Sequence, residues 1–306
     1  MKRSDITNQA IEAGRFLERL QMLGFRVWQA TDEQGAEVAQ YIEPPLCEVP
    51  DGLFLMGSDQ RIDAEALGHE LPQHYVTLAA FQIGKYPVTV MEYAYAVRAG
   101  VVEEPPEDNA MLRWEYQLRL PDRSVANVDW FNAMKYAAWL SQLTGKDWGL
   151  PTEAQWEKAA RGTDGRIYPW GNEWDGALAN TLNSSPLFAR PKAPVGEYPT
   201  QSASPYGVFE MAGNVWEWTI NTLADYPYNA SDGREHPQVG PVIFPQYERV
   251  FDEDVGLVLS PTNGAETLVI RGGSWHHIHE ESRTASRYVR LPDDVSSYIG
   301  FRLVAR

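Results

Sequence analysis

The chain has 306 residues, enough for one large domain or two small ones with a substantial core. Its 26 Lys+Arg against 42 Asp+Glu leave a formal charge of -16, which argues against nucleic acid or an anionic membrane as the main partner, because phosphate contacts need a basic stripe. Cys47 is the single cysteine and excludes both an internal disulfide and a thiolate-rich metal site; with no apolar run as long as a membrane span and no signal-peptide core behind Met1, the expectation is a cytoplasmic, reduced protein.

In chain order, Ile11, Phe16, Leu17, Leu20 and Leu23 recur at helical spacing and predict an amphipathic helix over 6–24, stopped at Gly24. Short strands are expected at 25–28 and 38–42. Residues 1–47 thus form an N-terminal helical extension whose helix either packs on the main domain or docks another protein. From Pro50 the texture changes. The apolar run Gly52–Ser58, then 76–78 and 81–83, predict strands around one core, and Pro87-Val88-Thr89 opens a helix through Met91, Tyr93 and Val97. Residues 100–125, with Pro105, Pro106 and Pro121, read as a surface loop.

Two better-marked helices follow. One runs from Trp130 to Leu143 and ends near Gly145; the other opens on the capping box Thr152-Glu153-Ala154-Gln155 and stops at Gly162. Beyond Arg161 the pattern is turns and aromatics, with a long insertion-like loop over 226–266. Thr267–Ile270 reads as a final strand, leading into Arg271-Gly272-Gly273-Ser274-Trp275. Tight turns need these glycines, and each tryptophan needs an apolar pocket with a partner for its indole N–H.

Five stretches together resemble the sulfatase-modifying-factor, or formylglycine-generating-enzyme, family: Leu150-Pro151-Thr152-Glu153-Ala154-Gln155-Trp156 and its continuation to Gly162, Tyr168-Pro169-Trp170-Gly171, Met211-Ala212-Gly213-Asn214-Val215-Trp216-Glu217-Trp218, Arg271-Gly272-Gly273-Ser274-Trp275 and Gly300-Phe301-Arg302. The resemblance covers 48–306 and implies a variant of the C-type lectin fold: α+β, a twisted mixed sheet, two main helices and extensive loops. The founding activity oxidises a substrate cysteine to formylglycine, using copper held by two cysteines shortly after the Arg-Gly-Gly-Ser block. Here that stretch is Trp275-His276-His277-Ile278-His279-Glu280-Glu281-Ser282-Arg283 and has no cysteine. No copper is expected, because a soft dithiolate site cannot be built from these residues, and a fold does not carry an activity with it.

Two readings of that segment remain. The leading one is non-enzymatic binding of a protein or small molecule through His276, His277, Ile278, His279, Tyr288, Val289, Arg290, Leu291, Val295, Ser296, Ser297 and Tyr298, a mixture of aromatic, imidazole, guanidinium and small groups of the kind paratopes use. Its histidines would make binding sensitive to pH near 6–7. Some members of this fold are the variable proteins of diversity-generating retroelements, diversified between blocks like Gly-Gly-Ser-Trp and Gly-Phe-Arg, and the clusters 276–279, 288–291 and 295–298 contain none of the residue types that such mutation cannot produce. The alternative is a metal-dependent oxidoreductase using iron or copper at His276, His277, His279, Glu280 and Glu281; family relatives in thiohistidine biosynthesis use iron, with ligands partly in a domain this chain lacks. The resemblance further implies structural Ca²⁺ at Glu210, Gly213, Val215 and Glu217, with a second site beginning at Asn180; a buried ion pair from Glu217 to Arg271 or Arg302 is the competing expectation.

Overall fold

The computed structural model describes residues 14–31, 34–35, 37–106, 113–184, 191–229, 231–232, 234–235, 247–252, 256–261 and 266–306. Helix α1 occupies 14–22, and residues 6–13 of the expected helix lie outside the described set. Leu20 is fully buried with Phe25, Ile42, Tyr86, Val195 and Phe209, while Arg19 reaches Asp122 at 3.1 Å and the Val195 carbonyl at 2.6 Å. The helix is therefore seated on its own chain. Strands β1 (Arg26–Thr31) and β2 (Glu37–Glu43) form an antiparallel hairpin beside it.

The body is α+β, with small curled sheets rather than one wide one. One four-stranded sheet is built from β3 (Leu46–Val49), β6 (Phe81–Gly84), β14 (Val304–Ala305) and β7 (Trp148–Gly149), so the C-terminus is clamped between early segments. β4 (Gly52–Met56) and β5 (His74–Leu78) make a separate pair. The other four-stranded sheet has the order β12 (Arg287–Arg290), β11 (Leu268–Arg271), β8 (Trp216–Thr222), β13 (Ile299–Gly300), and only the β8–β13 pair is parallel. β11 is thus central rather than final. The three strands after it have two to four residues, too few to show an alternating pattern.

Each main helix has local reasons to start and stop. In α2 (Val90–Arg98), the Thr89 hydroxyl accepts from Glu92 N–H at 3.2 Å, and the Glu92 carboxylate accepts from Thr89 N–H at 2.6 Å. α4 (Trp130–Thr144) is capped by Asp129, which accepts from Asn132 N–H at 2.7 Å, and ends at Gly145 in the left-handed region. α5 (Glu153–Arg161) has the expected Thr152/Gln155 capping box and ends at Gly162. The core packs α2 and α4 through Tyr93, Tyr136 and Phe301, whose ring centroids lie 5.5–6.4 Å apart.

Two loop expectations need correction. Within 100–125 a short helix α3 (Trp114–Gln117) forms because Trp114 is buried against Tyr93 at 6.0 Å, an anchor that the surrounding prolines and charges hide. Within 226–266 the chain folds back as an antiparallel pair, β9 (Tyr247–Asp252) and β10 (Gly256–Pro261). Among the described residues no helix is long and apolar enough to cross a membrane.

Buried ion pairs staple the last third to everything upstream. Arg302 grips Glu217 with bonds of 2.5 and 2.8 Å, and Trp156 Nε1 donates to the same carboxylate at 2.7 Å. Arg271 and Arg161 share Glu157; Arg287 holds Glu153 at 2.5 and 2.9 Å; Arg283 holds Glu70 at 2.6 Å and Asp63 at 2.7 Å. Breaking any one leaves a buried charge, at a cost of about 3–5 kcal/mol.

Candidate functional site

The loop that carries the candidate residues is aimed by two glycines. Gly272 and Gly273 both have positive φ; a Cβ on Gly273 would sit 2.1 Å from Ser282 Oγ, and one on Gly272 would sit 2.9 Å from the Trp156 ring. The chain therefore leaves β11 in a tight turn, which brings His277 against Trp216.

Ser274 is fully buried and its Oγ lies 2.5 Å from His277 Nδ1, which also accepts from Trp216 Nε1 at 3.3 Å. Nδ1 is thus the acceptor and Nε2 carries the proton, facing Glu281 at 3.8 Å. Burial, then His276 and Arg290, push the His277 imidazole down to about 4. His277 is thus predominantly neutral at pH 6–7, so the expected pH sensitivity there does not come from it.

Around this fixed imidazole the rings form a continuous patch. His276 stacks on Tyr298 with centroids 5.9 Å apart, and His277 meets Tyr298 edge-on at 4.7 Å. Trp216 touches both His277 (5.8 Å) and Tyr288 (5.9 Å). Arg290 lies 4.5 Å over Tyr288 and donates to the Tyr298 hydroxyl at 3.2 Å. His276, Ile278 and Tyr288 are exposed. A second ring cluster adjoins it: His279 lies 4.8 Å from Trp174, which packs on Trp170 and Tyr168, and His279 N–H donates to Asn183 Oδ1 at 3.0 Å. Each carboxylate beside the patch faces an imidazole: Glu280 lies 3.1 Å from His279 Nδ1, and Glu281 lies 3.8 Å from His277 Nε2.

The structure narrows the expected face. His276, His277, Ile278, His279, Tyr288, Arg290 and Tyr298 come together on or beside this patch. Val289 and Leu291 are half-buried, with Val289 paired to Val269 across β11 and β12. Ser297 is buried and offers its carbonyl to Trp275 Nε1 at 3.3 Å, so it supports the patch rather than presenting itself. The Ser296 carbonyl accepts from Asn127 N–H at 3.1 Å, and half-exposed Val295 precedes it. Trp216 and Trp174 were missed as site residues. Both stand in stretches that the sequence marks as motif or turn, but nothing local says that they meet residues about 60 to 100 positions away.

As a metal centre the cluster does not converge. The His276 and His277 rings stand at 88° to each other, His277 Nδ1 is occupied by Ser274 and Trp216, and His279 turns towards Trp174. Among the described residues no three His, Cys, Asp or Glu side chains gather in a way that could hold an ion.

The calcium expectation meets a similar obstacle. Both Glu217 oxygens are taken by Arg302, with Trp156 on one of them, so Arg302 is the partner and a hard cation there would face a guanidinium. Glu210 accepts from Gly196 N–H (2.9 Å) and Asn214 Nδ2 (2.7 Å), and burial pushes its carboxyl up to about 7. The Asn180 carbonyl accepts from Asn214 N–H at 2.8 Å, and Gly213 lies so close to it that a Cβ would sit 2.4 Å from that oxygen. Val215 is buried. Glu210, Asn214 and Asn180 make a hydrogen-bonded knot, and as arranged the donor set does not fit Ca²⁺.

Comparison with known proteins gives a family. Residues 34–306 match the model of the sulfatase-modifying factor enzyme 1-like domain. The chain is similar to the hercynine oxygenase of Mycolicibacterium smegmatis, 32% identical over 254 residues, which are 74% of this chain and 53% of that protein. It thus spans about half the length of such relatives. Among solved structures it is similar to PvdO from Pseudomonas aeruginosa (TM-score 0.67, 27% identity, covering 92% of this chain and 98% of that one). The Treponema denticola variable protein 1 shares the fold at TM-score 0.59 and 19% identity, covering 92% of this chain and 99% of that one.

Proposed function

We propose that this chain, which belongs to the family of sulfatase-modifying factor enzyme 1-like domains, is a binding protein whose ligand sits on the surface formed by His276, His277, Tyr288, Arg290 and Tyr298 over the buried Trp216. One observation carries the reading. Where the family's founding chemistry needs a thiol pair, this chain has stacked rings, a guanidinium and a neutral imidazole held in one tautomer. Such a surface offers planar groups two exposed faces, His276 and Tyr288. The half-buried carboxylates of Glu280 and Glu281, each facing an imidazole, favour a ligand that also carries hydrogen-bond donors. A protein loop or a small molecule with an aromatic and an amine or amide group meets both requirements. The fold shared with a variable protein is compatible with diversification of 276–298; an Asn-rich template copy of this segment near a reverse transcriptase gene would support it.

The test is a fragment screen by protein-observed NMR with a library of aromatic amines and amides. Hits should shift resonances of Tyr288 and Tyr298 and weaken at least tenfold in a His276→Ala/Tyr288→Ala variant. Hits that bind this variant as well as the parent would refute the assignment.

A second reading, an oxidoreductase, is favoured by the similarity to hercynine oxygenase. It requires metal ligands from beyond the described donor set. Near-stoichiometric iron or copper in protein purified without chelator, lost on substituting His276 and His279, would establish it over the binding reading.

A further inference from the structure

We propose that the cavity beside Lys192 binds a small free oxoanion, a simple carboxylate or bicarbonate. Lys192 is 2% exposed, and its ammonium donates to Gln117 Oε1 at 2.7 Å, a neutral acceptor. Among the described residues no carboxylate pairs with it. A buried ammonium without a counter-charge is costly, and proteins either neutralise such a group or supply an anion.

Room for that anion is present. Lys192, Gln117 and Arg123 line a cavity of about 80 Å³ with Val90 and Leu120 as apolar wall and exposed Tyr116 at its mouth. That is several times the roughly 10–15 Å³ that one water requires. It suits a group of a few heavy atoms and is too small for a peptide segment. Arg123 adds a second positive charge and is fixed in place, its Nη1 donating to the carbonyls of Pro191 (2.8 Å) and Lys192 (2.6 Å). Asp122 pairs with Arg19 at 3.1 Å and also lies within electrostatic reach of Arg123, whereas no such carboxylate acts on Lys192 among the described residues. Lys192 is also one of only four non-glycine residues with positive φ among those described, at 47°, a conformation that costs free energy and tends to persist where a side chain must be aimed.

Burial, with Arg123 second, pushes the Lys192 ammonium down to about 7. An anion favours the charged amine, so binding above pH 7 takes up a proton.

The experiment is calorimetric titration of the full chain with acetate and with bicarbonate at pH 8, each in two buffers of different ionisation enthalpy, with chloride as the ionic-strength control. Expected are saturable 1:1 binding of either oxoanion, proton uptake approaching one per anion, and at least tenfold weaker binding by Lys192→Met. No saturable binding by the wild type would overturn the proposal. So would binding without proton uptake, or equal binding by a folded Lys192→Met protein. The proton uptake is read on the wild type alone, so the idea stays open to refutation if that variant does not fold.

Discussion

The sharpest consequence concerns Glu217, where an ion pair and a calcium ligand make opposite demands. Glu217→Gln would keep the shape and leave Arg302 fully buried, bonded to the carbonyls of Gly84, Phe209 and Glu210 and to a neutral amide. Trp156 Nε1 would lose a charged acceptor for a neutral one. The cost of breaking a buried pair on one side is about 3–5 kcal/mol, and the shorter charge-assisted bonds here place it in the upper half of that range. Arg302→Met alone should cost a similar amount, because it strands the carboxylate. Glu217→Leu combined with Arg302→Met should recover most of the loss, since a well-packed apolar pair can match a buried ion pair. Urea unfolding followed by tryptophan fluorescence, with and without EDTA, measures all of this. The reasoning is refuted if Glu217→Gln costs less than about 1 kcal/mol. It is also refuted if EDTA destabilises the wild type as much as the substitution does and leaves the variant unaffected.

Three further outcomes are expected. Burial raises Glu92 to about 7, so its contribution is present below the unfolded value near 4.3 and is lost as pH rises towards 7; urea midpoints of Glu92→Gln, which keeps the capping box, should gain on the wild type by up to about 1.4 kcal/mol per pH unit across pH 5–7. His277, pushed down to about 4, has the opposite sign: it adds stability as pH rises from about 4 to 6.5, and its ring proton resonances should titrate near pH 4 and stay flat from 5 to 8. At Gly300 a Cβ would lie 2.4 Å from the Val125 carbonyl oxygen, a backbone atom that cannot swing away, so Gly300→Ala should cost about 1–3 kcal/mol or more by urea unfolding, whereas Gly100→Ala, with nothing within 4 Å, should show only the smaller penalty of its positive φ.

Much of the architecture was legible because its signals are local. The Thr152/Gln155 capping box and Gly162 bracket α5, Gly145 ends α4, and the strand pattern at 52–56 needed only its own residues. The signals failed where formation depends on a distant partner. α3 forms because Trp114 meets Tyr93, and β13 and β14 are two-residue strands defined wholly by β8, β6 and β7. The candidate site divides in the same way. Its imidazoles, tyrosines and Arg290 stand out in one segment, but Trp216 and Trp174 join them only through the turn that Gly272 and Gly273 impose.

The family, the α+β class and the absence of a thiol pair from the segment after Ser274 are legible without coordinates, because motif identity and residue type are properties of the chain. That Glu217 pairs with Arg302, that the histidines diverge, and that Lys192 is enclosed without a carboxylate among the described residues emerges from the folded chain. Those facts depend on which side chains share a low-dielectric interior. Partners 85 positions apart, as Arg302 and Glu217 are, leave no local trace for spacing to reveal.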